Sequence, residues 1–177
     1  MKQALFYLIM LFISSSCKPP EARRPISNNS GTFIDASIER NKQLNKIEYT
    51  QIETLIKTSE KTVLNSNYGF WYYYNNKLET PAKTPKFGDL VYFNYNVKNL
   101  NNELIYSKEE LTTQNYYIDQ QELFLGLREG LKLMKEGEVI TFIFPSQKAY
   151  GYYGDNDQIG RNVPLICEVS LVKHQIN

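Results

Sequence analysis

The sequence predicts an α+β domain of antiparallel strands with one short central helix, and three observations predict it. In Leu90 to Lys98, Val91, Phe93, Tyr95 and Val97 fall on one face by the strand period of two, and Asn101-Asn102 offers a hairpin turn back into Leu104 to Ser107. In Leu123 to Lys135, Phe124, Leu127, Leu131 and Met134 recur near the helical period, with Gly137 as the stop. Two apolar runs, Val139 to Phe144 and Leu165 to Val172, flank a loop containing Pro145 and Ala149-Tyr150-Gly151.

Taken in order, Met1-Lys2 provides a positive start, Ala4 to Ile13 a ten-residue apolar run and Ser14-Ser15-Ser16 small residues before Cys17. The run is too short for a mature membrane span and reads as a signal peptide over 1–16. Small residues directly before a cysteine resemble a bacterial lipobox. Cys17 is then the lipidation site, and a multiply acylated cysteine holds a chain stably on a membrane. The expected location is periplasmic, lipid-anchored, with the outer membrane favoured. An ordinary secretory signal with an incidental Cys17 is the plainer alternative.

Residues 17–33, rich in Pro, Ser and Asn, read as a flexible tether. Residues 34–65 read as a helical extension, helical over Asp35 to Ser59 as one helix or two, with Ile38, Leu44, Ile47, Ile52, Leu55 and Ile56 among many charges and Asp35 as N-cap. The main domain is expected over 66–177. Its first strand is the aromatic run Phe70 to Tyr74, bounded by Asn75-Asn76, and Tyr116 to Ile118 is a further short strand.

Composition excludes several function classes. Basic and acidic residues number 20 and 19, interspersed, so no basic face for nucleic acid is indicated. The chain has two cysteines, and with Cys17 lipidated Cys167 has no intramolecular disulfide partner. The one histidine, His174, lacks a cysteine at metal-site spacing, so neither a metal nor a cofactor is expected. A monomer is expected, although no residue dictates it.

From about Pro85 to Lys173 the chain resembles an FKBP-type peptidyl-prolyl cis-trans isomerase domain. Gly88 to Tyr95 is similar to the family's first core strand. Gly126 and Gly130 with Met134 and Gly137 resemble its helix, and Pro145, Ala149-Tyr150-Gly151 and Gly154 its signature loop. The resemblance implies an antiparallel half-barrel around the short helix. The leader, the helical extension and the aromatic strand also look like the gliding-motility-associated isomerase lipoproteins of the Bacteroidota. By resemblance the catalytic residues are Tyr150, Phe124 and Tyr95. The substrate pocket adds Ile105, Tyr106, Leu123, Leu127, Ile159 and Cys167. Four of these depart from the family pattern: Leu127 replaces a Trp, Ile105 and Cys167 each replace a Phe, and Tyr106 stands where the family has an Asp beside the substrate.

An apolar wall suits this chemistry. The Xaa–Pro bond resists rotation by roughly 18–20 kcal/mol through amide resonance. That resonance is charge-separated and weakens out of water, while the wall fits the twisted transition state. The Tyr150 hydroxyl and the Phe124 N–H are the implied donors to flanking carbonyls. A thousandfold acceleration asks for only about 4 kcal/mol and no covalent step. The implied partners are proline-containing polypeptides, and the implied role is folding of exported proteins, whose proline steps take tens of seconds or more uncatalysed. A motility role follows only from the narrower resemblance. Two other readings stand beside it: a binding module without turnover that uses the same pocket, and a structural lipoprotein of a surface machine in which the 35–64 helices dock a partner. Each site residue also has a plainer role. The strand tyrosines can be packing, Leu123, Leu127, Ile105 and Ile159 core, and Cys167 a small buried hydrophobe.

Overall fold

The computed structural model describes residues 31–79 and 81–177. The chain divides into two compact units, 1–39 and 40–177, and the sheet belongs to the second. Helix α1 (Gly31–Thr58) is followed by strands β1 (Leu64–Asn65), β2 (Trp71–Asn76), β3 (Leu90–Lys98) and β4 (Leu104–Tyr106). Then come helix α2 (Lys108–Leu111), β5 (Gln114–Tyr117), α3 (Leu125–Leu131), β6 (Val139–Phe144), a 3-10 turn (Ser146–Lys148) and β7 (Leu165–Gln175). Mixed α+β architecture with an antiparallel seven-stranded sheet is thus the fold. Its order is β1-β2-β6-β7-β3-β4, and β5 also pairs with β3.

The period-two reading of β3 holds residue by residue. Val91, Phe93, Tyr95 and Val97 are buried, and their neighbours are half-buried. Strands β6 and β7 read as apolar runs because both of their faces are covered. Phe142, Phe144, Leu165, Cys167 and Val169 join the core around α3. Ile143 and Ile166, one residue out of phase, join Ile52 of α1 with Trp71 and Leu100 around it. The α1 residues from Arg40 onward therefore cover the outer face of the sheet. Tyr49 meets Trp71 edge-on at 5.4 Å between ring centroids.

Several sequence expectations need correction. The helical reading of Asp35 to Ser59 is one continuous helix that ends at Thr58, and beyond it Leu64–Asn65 pair with Trp71 and Tyr72 as an edge strand. The helix begins at Gly31, so Asp35 is inside it rather than its cap, and the predicted tether 17–33 gives its last residues to the helix. The leader 1–16, Cys17 and the tether up to residue 30 lie outside the described residues. Helix α3 is shorter than the predicted 123–135. Leu123 and Phe124 enter it in extended conformation, and the chain leaves the helical path after Leu131 through 3-10-type bonds from Leu133 to Gly130 and Met134 to Leu131. Gly137 acts later, in the turn where its N–H reaches Leu171. Among the described residues no helix is long and apolar enough to cross a membrane.

His174 finds a partner that its lone position in the sequence did not suggest. Its Nε2 lies 2.8 Å from Asp89 Oδ2, and both side chains are buried. Asp89 also accepts from the Lys86 and Asn177 N–H groups, tying the chain's end to the start of β3. The His174 hydrogen bond, helped by the two backbone donors, holds the Asp89 carboxyl down to about 2. A carboxyl depressed in the folded state stabilises above its unfolded value of about 4 and loses that contribution as pH falls through about 2. Urea midpoints should therefore drop between pH 4.5 and 2.5, and Asp89→Asn should flatten that drop; an equal slope in the variant refutes the assignment.

Candidate functional site

Strand register brings the predicted residues together. Cys167 of β7 stands beside Val97 of β3, and Val97 beside Tyr106 of β4, in one rung of the sheet. Tyr95 is two residues back on the same β3 face. Leu127 rises from α3, with Leu123 and Phe124 in the segment that enters it. Tyr150 follows the 3-10 turn, and Ile159 sits in the loop before β7. All nine belong to one hydrophobic cluster. Leu127, Cys167, Ile159 and Tyr95 are buried inside it, whereas Ile105, Tyr106, Leu123, Phe124 and Tyr150 are half-buried at its edge.

Phe124 is wedged between two rings, 5.2 Å from Tyr150 and 5.4 Å from Phe144. Phe144 was not read as a site residue, because a Phe within an apolar strand carries no signal beyond packing. Burial raises the Tyr150 phenol above its ordinary value, with smaller contributions from Asp155 and Cys167. Burial raises Tyr95 further, with Tyr150, Cys167 and Tyr106 adding to it. Both phenols thus stay protonated at neutral pH and can act only as neutral donors or acceptors. Neither hydroxyl has a hydrogen-bond partner among the described residues, nor has the Phe124 N–H. The Cys167 thiol is fully buried and its burial pushes its pKa up, which fits a small hydrophobe rather than a nucleophile.

Tyr106 behaves unlike the acidic residue that the family resemblance places there. Its hydroxyl donates to Asp155 Oδ2 at 2.6 Å, lies 3.1 Å from Asp157 Oδ2 and accepts from the Gln158 N–H. Desolvation, followed by the bond to Asp155, pushes the phenol up to about 12. Tyr106 therefore staples the loop that carries Ile159. Asp155 organises that loop by accepting from the N–H groups of Asp157 and Ile159 at 2.9 and 2.8 Å. Sequence reading missed Asp155, although a signal existed. Aspartates commonly accept from the N–H two residues on, and Gly154-Asp155-Asn156-Asp157 has turn composition.

An antiparallel sheet packed through an apolar cluster onto one short central helix is the fold of an FKBP-like protein. Residues 82–172, more than half of the chain, match the family model for FKBP-type peptidyl-prolyl cis-trans isomerases, and the chain belongs to that family. A probable FKBP-type isomerase of Neisseria meningitidis serogroup B, FkpA, is 48% identical over 48 residues. That stretch is 27% of this chain and only 18% of the relative's length. Among solved structures, a peptidyl-prolyl isomerase of Pseudomonas syringae aligns at TM-score 0.59 and 22% identity, over 76% of this chain and 96% of that one. FkpA of Escherichia coli aligns at TM-score 0.61 and 22% identity, over 99% of this chain and 82% of that one. These two likenesses describe the fold.

Proposed function

We propose that the chain is a peptidyl-prolyl cis-trans isomerase, anchored to a bacterial membrane through Cys17, that assists the folding of exported proteins in the periplasm. The observation carrying the catalytic part is the pairing of an apolar cluster with two unengaged donors, the Tyr150 hydroxyl and the Phe124 N–H. A proline ring seated against the half-buried Leu123, Phe124 and Tyr150 leaves water, which weakens the resonance of the preceding amide. The donors take the carbonyls flanking the bond, and the twisted state fits better than either planar one. Family membership supports the same reaction.

The test is the cis-to-trans rate of Xaa-Pro peptides with protein starting near Ser27; no acceleration refutes the enzyme reading. Tyr150→Phe removes one hydroxyl and leaves the ring in place. Its kcat/KM should fall about fivefold, the equivalent of one net hydrogen bond of about 1 kcal/mol. An unchanged rate demotes that hydroxyl.

A second reading is favoured by two observations. Leu127 is wholly buried, and Tyr106 spends its hydroxyl on the loop. On that reading the domain holds proline-containing segments without turnover, and peptide affinity without rate enhancement would identify it. Anchoring rests on the leader and Cys17; Cys17→Ser should release the protein from membranes. Components of a gliding-motility apparatus are proposed clients through the narrower sequence resemblance alone. Loss of the protein with gliding unimpaired refutes that part.

A further inference from the structure

We infer that Glu48, on the helix outside the family-matched region, is a positioning residue for Tyr150. Glu48 is buried, and its carboxyl accepts from both the backbone N–H and the hydroxyl of Ser146, the latter at 2.7 Å, across 98 residues of sequence. Ser146 opens the 3-10 turn, whose N-cap position is Pro145 with no side-chain cap bond. The turn's first N–H would otherwise lack a partner, and Glu48 supplies it from another element.

Ser146 in turn holds both neighbours of Tyr150. Its carbonyl accepts from the N–H groups of Ala149 at 2.9 Å and Gly151 at 2.8 Å, and the Gly151 carbonyl accepts from Asn162. The sequence of contacts runs from Glu48 to Ser146, then to the two peptides that bracket the Tyr150 ring. Helix α1 keeps its seat independently of Glu48, through Tyr49 on Trp71 and Ile52 on Ile143 and Ile166. Glu48 thus aims the loop that carries a donor of the site, and Arg40 to Thr58 is part of the functional unit.

This inference rests on the isomerase reading, so its test has one readout that needs catalysis and one that does not. Glu48→Ala and Ser146→Ala are compared with Glu48→Gln, whose amide can accept from the Ser146 N–H and donate to its hydroxyl. Amide hydrogen exchange at Ala149 and Gly151 should rise on the order of tenfold in Glu48→Ala with β6 amides unchanged, and Glu48→Gln should restore protection. The peptide kcat/KM should fall about threefold to fivefold in Glu48→Ala, no more than in Tyr150→Phe and carried by kcat, with less loss in Ser146→Ala. In a Tyr150→Phe background the same substitution should cost clearly less, since its effect passes through that hydroxyl. Unchanged exchange at Ala149 and Gly151, or an undiminished loss in the Tyr150→Phe background, overturns the inference. If the wild-type protein has no isomerase activity, the exchange result still decides the clamp, and only the isomerase reading fails. If Glu48→Ala does not fold, Ser146→Ala and Glu48→Gln carry the same comparison.

Discussion

Gly154→Ala is expected to lower kcat/KM on Xaa-Pro peptides on the order of a hundredfold, the scale of a displaced active-site loop. Gly154 has φ of +71°, where an L side chain is strained, and a Cβ there would sit 2.2 Å from the Ile159 carbonyl oxygen. Both obstacles are backbone, so no rotamer change relieves them. The loop must open, separating the Asp155 carboxyl from the Ile159 N–H and freeing Tyr106 from its staple. Peptide kinetics beside a thermal melt check this; wild-type kinetics in a folded variant would show that the loop does not shape the site.

The largest loss of stability is expected from Gly126→Ala, about 3 kcal/mol from overpacking. The added Cβ would lie 2.4 Å from Phe144 Cδ1 and 2.8 Å from the Lys148 carbonyl oxygen. Phe144 cannot step aside, because it stacks on Phe142 and meets Phe70 and Phe124 edge-on. Helix α3 must therefore lift from the sheet, taking Leu127 with it. Urea unfolding measures the effect, and a midpoint within error of wild type refutes it. Gly130, whose Cβ would come no nearer than 3.0 Å to the Phe142 ring, should be the milder site.

Much of this fold was legible because its signals are local. Strand β3 alternates over nine residues, and its buried face was read without error. Strand β6 was read with its bounds intact, since a run of six apolar or β-branched residues between Gly137 and Pro145 has few other uses. Helix ends were less legible. The apolar spacing of Leu123 to Met134 continues beyond the helix itself, because Phe124 and Met134 join the same core from non-helical backbone. The pocket residues were legible only as a family pattern. Their convergence follows from register between β3, β4 and β7, which no single segment encodes.

By itself the sequence determined the α+β class, the inward face of β3 and the family. Those properties follow from periodicity and from residue types in order, which survive without any partner. Only the tertiary structure decided that Tyr106 turns its hydroxyl to Asp155, that His174 closes on Asp89, and that Glu48 reaches Ser146. Each is a hydrogen bond between residues 49 to 98 positions apart. Whether a polar side chain is solvated or buried against such a partner depends on where packing places the two, and packing is a property of the whole chain.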